Sequence, residues 1–138
     1  MGLDNGWLVK STKRKLTRAD LPEGIRYPFK SDYEEVPEIC YGRKWWGLRS
    51  ELLDVIDWIY DEEFPDYYYI IEKPSEVFHV IEVVASWLDK ERWENEGNSI
   101  WDYEEARSNL IDWIINLSII SSYMEENPDV YLVFYDSY

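Results

Sequence analysis

Between Pro74 and Trp93 the chain carries Val77, Phe78, Val80, Ile81, Val83, Val84, Ala85, Trp87 and Leu88. Wound at a helical period, these residues cover well over half the circumference. Only His79, Glu82, Ser86, Asp89 and Lys90 form a polar strip. A helix this apolar has to be covered on several sides, so the rest of the chain must supply layers around it. The segment predicts a central, most buried helix over 74–93, with Pro74 in its first turn.

The covering layers are legible on both sides. Tyr67-Tyr68-Tyr69-Ile70-Ile71 is a continuous apolar run that reads as a strand buried on both faces, and Val130 to Tyr135 reads as a second strong strand. Trp7-Leu8-Val9 follows the turn signal Asp4-Asn5-Gly6, and Glu38-Ile39-Cys40-Tyr41 is closed by Gly42, so each predicts a short strand. Over 44–61, Leu48, Leu52, Val55, Ile56 and Ile59 share one helical face, while Glu51, Asp54, Asp57 and Asp61 share the other. Trp58 falls among those acids. Ser99, Asp102 and Glu105 have the spacing of a helix start, and Leu110, Trp113, Ile114, Leu117, Ile120 and Met124 continue a helix that Asn127-Pro128 stops near Glu126. The order β, β, α, β, α, α, β predicts an α+β fold, a small mixed sheet with about three helices packed on it. At 138 residues the chain fits one folded domain able to build a core without staples.

Charge divides the domain. Residues 1–30 hold seven bases against three acids, and residues 31–138 hold seven bases against 26 acids, for a net charge of -15. Pro22, Gly24, Pro28 and Pro37 punctuate 11–37. The expected organisation is a basic, loop-rich N-terminal arm with a short strand over 1–37 and an acidic α+β body over 38–138. So acidic a surface repels nucleic acid and anionic lipid on average. No apolar run reaches the roughly 18 residues of a membrane span, and no leader-like apolar region opens the chain, so a cytoplasmic protein is expected.

The familiar catalytic constellations are missing. With one histidine, His79, and one cysteine, Cys40, there is no zinc ligand set without added carboxylates. The six glycines form no phosphate-binding loop, and no nucleophile elbow is present. The acids of 61–66 lack the spaced ligands of a calcium loop. Asp66 with Glu72-Lys73 misses a nuclease-like acid-x-Lys spacing by one position. The expectation is no enzyme, no cofactor and no metal site. His79 reads as a half-exposed helix residue, and Cys40 as a buried, inert thiol.

The opening Met1-Gly2-Leu3-Asp4-Asn5-Gly6 and the later Glu38-Ile39-Cys40-Tyr41-Gly42-Arg43-Lys44 resemble a family of short phage and prophage proteins. Those begin with the same Met-Gly-Leu-Asp stretch and carry a Tyr-Trp-Arg-Lys segment a few dozen residues on. Here Gly42 stands where that family has Trp, and Trp45 and Trp46 follow at once. The resemblance implies a phage origin and brings no activity with it.

Two surfaces invite binding. The acids Glu51, Asp54, Asp57, Asp61, Glu62, Glu63 and Asp66 surround Trp58, and further acids stand at Asp89, Glu91, Glu94, Glu96, Asp102, Glu104 and Glu105. Carboxylates beside an aromatic anchor suit a basic groove on another protein: charge steers association and the ring holds the complex. The expected function is that of an acidic inhibitor of a basic, nucleic-acid-handling protein, such as a host-defence, restriction or CRISPR enzyme, or a toxin met by its immunity protein. The second surface joins Arg43 and Lys44 to Trp45 and Trp46, with Lys10, Lys13, Arg14 and Lys15 added, and would hold a nucleotide or nucleic-acid phosphate with a base stacked on Trp. Direct nucleic-acid contact is the less favoured of the two, and the oligomeric state is open.

Overall fold

The structure is a computed structural model that describes residues 4–28, 37–55, 59–60, 67–97, 99 and 101–137. Its strands are β1 (Asp4–Ser11), β2 (Glu38–Arg43), β3 (Ile59–Tyr60), β4 (Tyr67–Ile71) and β5 (Val130–Ser137). Its helices are α1 (Trp46–Val55), α2 (Pro74–Ser86), α3 (Lys90–Glu96) and α4 (Tyr103–Glu126). The α+β class stands, with four helices rather than about three.

The strands lie in the order β2-β1-β5-β4-β3, and each pairing is antiparallel, so the sheet is not mixed. A crossover through one helix returns a parallel strand. Here α2, α3 and α4 all lie between β4 and β5, and β5 comes back antiparallel to β4. β1 is an interior strand, paired with β5 along all eight of its residues. The strand expected on the basic arm is thus an interior strand of the same sheet as β4 and β5. Trp7 and Val9 of β1 join Ile71, Leu132 and Phe134 in the core, and the Trp7 and Phe134 rings meet at 4.9 Å between centroids.

The loop after β1 is also built in. Leu16 and Leu21 are buried, and Ile25 and Tyr27 pack against the core. Its clamp is Asn116, a fully buried carboxamide on α4. Asn116 Oδ1 accepts from the Arg26 N–H at 2.8 Å, and Nδ2 donates to the carbonyls of Arg26 at 2.9 Å and Ile39 at 2.5 Å. One side chain thus ties the loop and β2 to the helix. Tyr123 donates to the Asp20 carbonyl, and Arg26 pairs with Asp112 at 3.2 Å.

Two helices end earlier than their apolar periods predict. The 74–93 segment breaks after Ser86, because Asp89 accepts from the Arg92 N–H at 3.0 Å and starts a separate helix. α2 buries Val77, Val80, Val83 and Val84, but Phe78 is 53% exposed and Ile81 and Leu88 are half-buried. The central helix is instead α4, which buries Ala106, Leu110, Trp113, Leu117, Ile120 and Met124 and is capped by Asp102 accepting from the Glu105 N–H. The 44–61 helix is described only over Trp46–Val55. Ile59 and Tyr60 pair with Ile70 and Tyr69 as an edge strand, where a β-branched and an aromatic residue complete a ladder.

Two outcomes follow. Replacing Asn116 with Ala strips two part-buried backbone groups of Arg26 and the buried Ile39 carbonyl of their partner, and should cost about 3 kcal/mol in urea unfolding with an unchanged m-value. Cys40 is 1% exposed, and burial, followed by the Glu38 and Asp112 carboxylates, pushes its thiol well up. A thiol reagent at neutral pH should leave it unmodified in the native protein and label it on unfolding; native labelling at the unfolded rate would contradict its burial.

Candidate functional site

The surface is organised by what lies beneath it. Trp45 is fully buried, and three indoles close around it. Trp93 and Trp101 stand edge-on, each at 5.4 Å and at 87° and 82°, and Trp113 lies tilted at 5.0 Å. Trp87 extends the group, edge-on to Trp93 at 6.1 Å. Aromatic pairs favour such edge-to-face geometry, because the ring edge is positive and the face negative. The cluster reaches the sheet at Gly42, where a Cβ would come within 2.5 Å of the Trp45 ring. Glycine at that position is therefore a packing requirement.

Three indole N–H groups are satisfied. Trp93 donates to the Trp101 carbonyl at 3.1 Å, Trp113 to the Tyr41 carbonyl at 3.1 Å, and Trp87 to Glu51 at 2.9 Å. Glu51 also takes the guanidinium of Arg92, which lies 3.9 Å over the Trp87 ring and donates to Ser86. So Glu51, expected on a free acidic face, is committed within the fold. Asp54 is exposed. Asp57, Trp58, Asp61, Glu62, Glu63 and Asp66 lie outside the described residues.

The later acids are described. Asp89, Glu91, Glu94 and Glu96 flank or lie on α3, and Asp102, Glu104 and Glu105 open α4; all seven are exposed. Two bonds hold the α3 region to the start of α4: the Trp93 indole to Trp101, and the Tyr103 hydroxyl to the Leu88 carbonyl. Ser99 is no cap for α4, since its hydroxyl donates to the Arg43 carbonyl at 3.0 Å and accepts from the Trp101 N–H. Seven exposed acids thus flank or lie on two helical segments joined over packed indoles, and Glu96 among them pairs with Arg92 at 3.4 Å. Lys90, Arg92 and Arg107 are the cations on the same stretches, and Arg92 is already engaged by Glu51.

The basic surface comes apart. Trp45 is the centre of the core cluster, so no base can stack on it. Trp46 is half-buried, Arg43 is exposed, and Lys44 takes a left-handed backbone at φ 56° before α1. In register, Arg43 lies opposite Asp4 at one end of β1, whereas Lys10 lies six residues further along that strand. At strand rise that is about 20 Å. Arg43-Lys44 and the Lys10–Lys15 group are therefore separate patches. His79 is exposed, and among the described residues no three His, Cys, Asp or Glu side chains are grouped to hold a metal ion.

Sequence reasoning overlooked the cap at Asp89, the Glu51–Arg92–Trp87 knot and the clamp at Asn116. The sequence signal for the first is Asp89 itself, a preferred N-cap residue. No helix among the described residues is long and apolar enough to cross a membrane. Compared with protein-family models, curated proteins and solved structures, the chain matches none of them.

Proposed function

We propose that this chain is a binding protein, without catalysis of its own, that offers its carboxylate band to a basic, nucleic-acid-handling protein and inhibits it. The observation that carries the reading is the band itself: seven exposed acids on α3 and the start of α4, over a floor of packed indoles. A rigid floor lowers the ordering cost of binding, because the acids are held on packed elements before the partner arrives. A surface with an excess of one sign, here seven acids against Lys90, Arg92 and Arg107, speeds encounter with the opposite sign and discriminates against other partners. The same charge disfavours nucleic acid as the direct ligand. The resemblance of the opening and of 38–44 to phage proteins directs the partner toward a host-defence, restriction or CRISPR enzyme in the host cytoplasm.

The test is capture from host lysate on the immobilised chain, read by mass spectrometry, beside a variant with Glu91, Glu94, Glu104 and Glu105 changed to Lys. All four are exposed, so the variant should melt within a few degrees of the parent. The parent should retain a basic nucleic-acid enzyme that the variant loses. With the captured enzyme in hand, the association rate should fall by about tenfold or more in the variant at low salt, and the gap should narrow at high salt. Equal retention by both chains would reject the band as the contact surface.

A further inference from the structure

At the far end of β1 the chain leaves the sheet through Lys10-Ser11-Thr12-Lys13-Arg14-Lys15. With Val9, Leu16, Pro37 and Tyr131, this stretch lines a cavity of about 550 Å³. That size lies within the roughly 300–1,000 Å³ of small-molecule sites. Its lining is opposite in sign to the chain as a whole, which carries a net charge of -15.

The walls are held in place. Ser11 Oγ donates to Asp129 at 2.6 Å and accepts from the Lys13 N–H at 3.1 Å, while the Thr12 N–H donates to the Asp129 carbonyl at 2.9 Å. Arg14 pairs with Asp20 at 3.1 Å, and Asp20 is itself fixed by the Thr17 N–H at 2.8 Å. Lys10 and Tyr131 are cross-strand partners, so their side chains share one face of the sheet. Among the described residues, the carboxylates Asp20 and Asp129 therefore stand against Lys13, Arg14 and Lys15, while Lys10 has a partner of its own. The hydrogen bond from the Thr17 N–H holds the Asp20 carboxyl below its usual range, and that from Ser11 does the same for Asp129, so both are counted as charged at neutral pH. Among the described residues positive charge remains in excess, and Lys13 and Lys15 are exposed with no ion pair there.

We propose that this cavity binds a small phosphate-bearing anion of mononucleotide size, with the phosphate on Lys13, Arg14 and Lys15 and the remainder beside Tyr131 and Pro37. Several converging cations suit a dianion better than a single carboxylate. The ligand is small for a physical reason. Charges are screened beyond about 8 Å at physiological salt, so the local lysines govern an anion that fits inside the cavity. A nucleic-acid strand extends further and meets the acidic remainder of the surface. Tyr131 supplies the flat apolar face on which a base or sugar rests.

The test is a titration of the isotope-labelled full chain with AMP, followed by NMR. Adenosine, inorganic phosphate and a single-stranded decanucleotide serve as comparison probes. AMP should shift the signals of Lys10–Leu16 and Tyr131 with a dissociation constant of about 1 mM or tighter, and phosphate should displace it. Adenosine should bind at least about tenfold more weakly. The double variant Lys13→Glu, Lys15→Glu should lose AMP binding by about tenfold or more with its melting temperature unchanged. The assignment is overturned by an absence of shifts at about 10 mM AMP, by unchanged binding in the double variant, or by a decanucleotide binding more than about tenfold tighter than AMP.

Discussion

α3, the α3–α4 connection and α4 meet at one indole. Trp45 lies between the end of β2 and the start of α1, and the rings of Trp93, Trp101 and Trp113 are packed on it. Through them α3, the α3–α4 connection and α4 are fixed relative to the sheet. Gly42 leaves the space, and Lys44 turns the chain in a left-handed conformation just before the ring. A substituent at Gly42 or a smaller side chain at Trp45 would loosen three elements together, since close-packed interiors transmit such changes.

This packing explains how a chain so rich in aromatic residues presents a surface dominated by charge. Trp7, Trp45, Trp87, Trp93 and Trp113 are all buried. An aromatic-rich composition is equally consistent with an interface, but these five rings are spent on the interior. The acids around them are left in water, and the acidic band on α3 and α4 takes its rigidity from the indoles below. Glu51 shows the cost of combining the two: one acid is drawn inward to satisfy the Trp87 N–H and to pair with Arg92, and is lost to the surface.

Much of the fold was legible in the sequence because it rests on local pattern. The continuous runs at 67–71 and 130–135 and the capped periodic run ending at Glu126 each appear where apolar spacing places them. What escaped depends on long-range contacts. β1 reads as a short strand on a basic arm, because nothing within Trp7-Leu8-Val9 reveals that it pairs with residues over a hundred positions away. The apolar period over 74–93 runs unbroken through Trp87 and Leu88, yet Asp89 as a cap outweighs it. The acids at 51–66 stand out by density alone, whereas the structure describes the later acids as exposed on or beside α3 and the start of α4. The basic residues near Trp45 and those after β1 read as one patch in sequence, and the length of β1 separates them.

The central claim is that the Trp45-centred cluster organises the domain. It is tested most directly by the urea unfolding of a Trp45→Ala variant against Trp46→Ala, its half-buried neighbour, followed by far-UV circular dichroism. Removing the central ring should cost about 3–5 kcal/mol, the range for an aromatic deleted from a close-packed core, and Trp46→Ala should cost clearly less. A loss under about 1 kcal/mol for Trp45→Ala, or equal losses for the two variants, would show that the cluster follows from the fold and does not hold it.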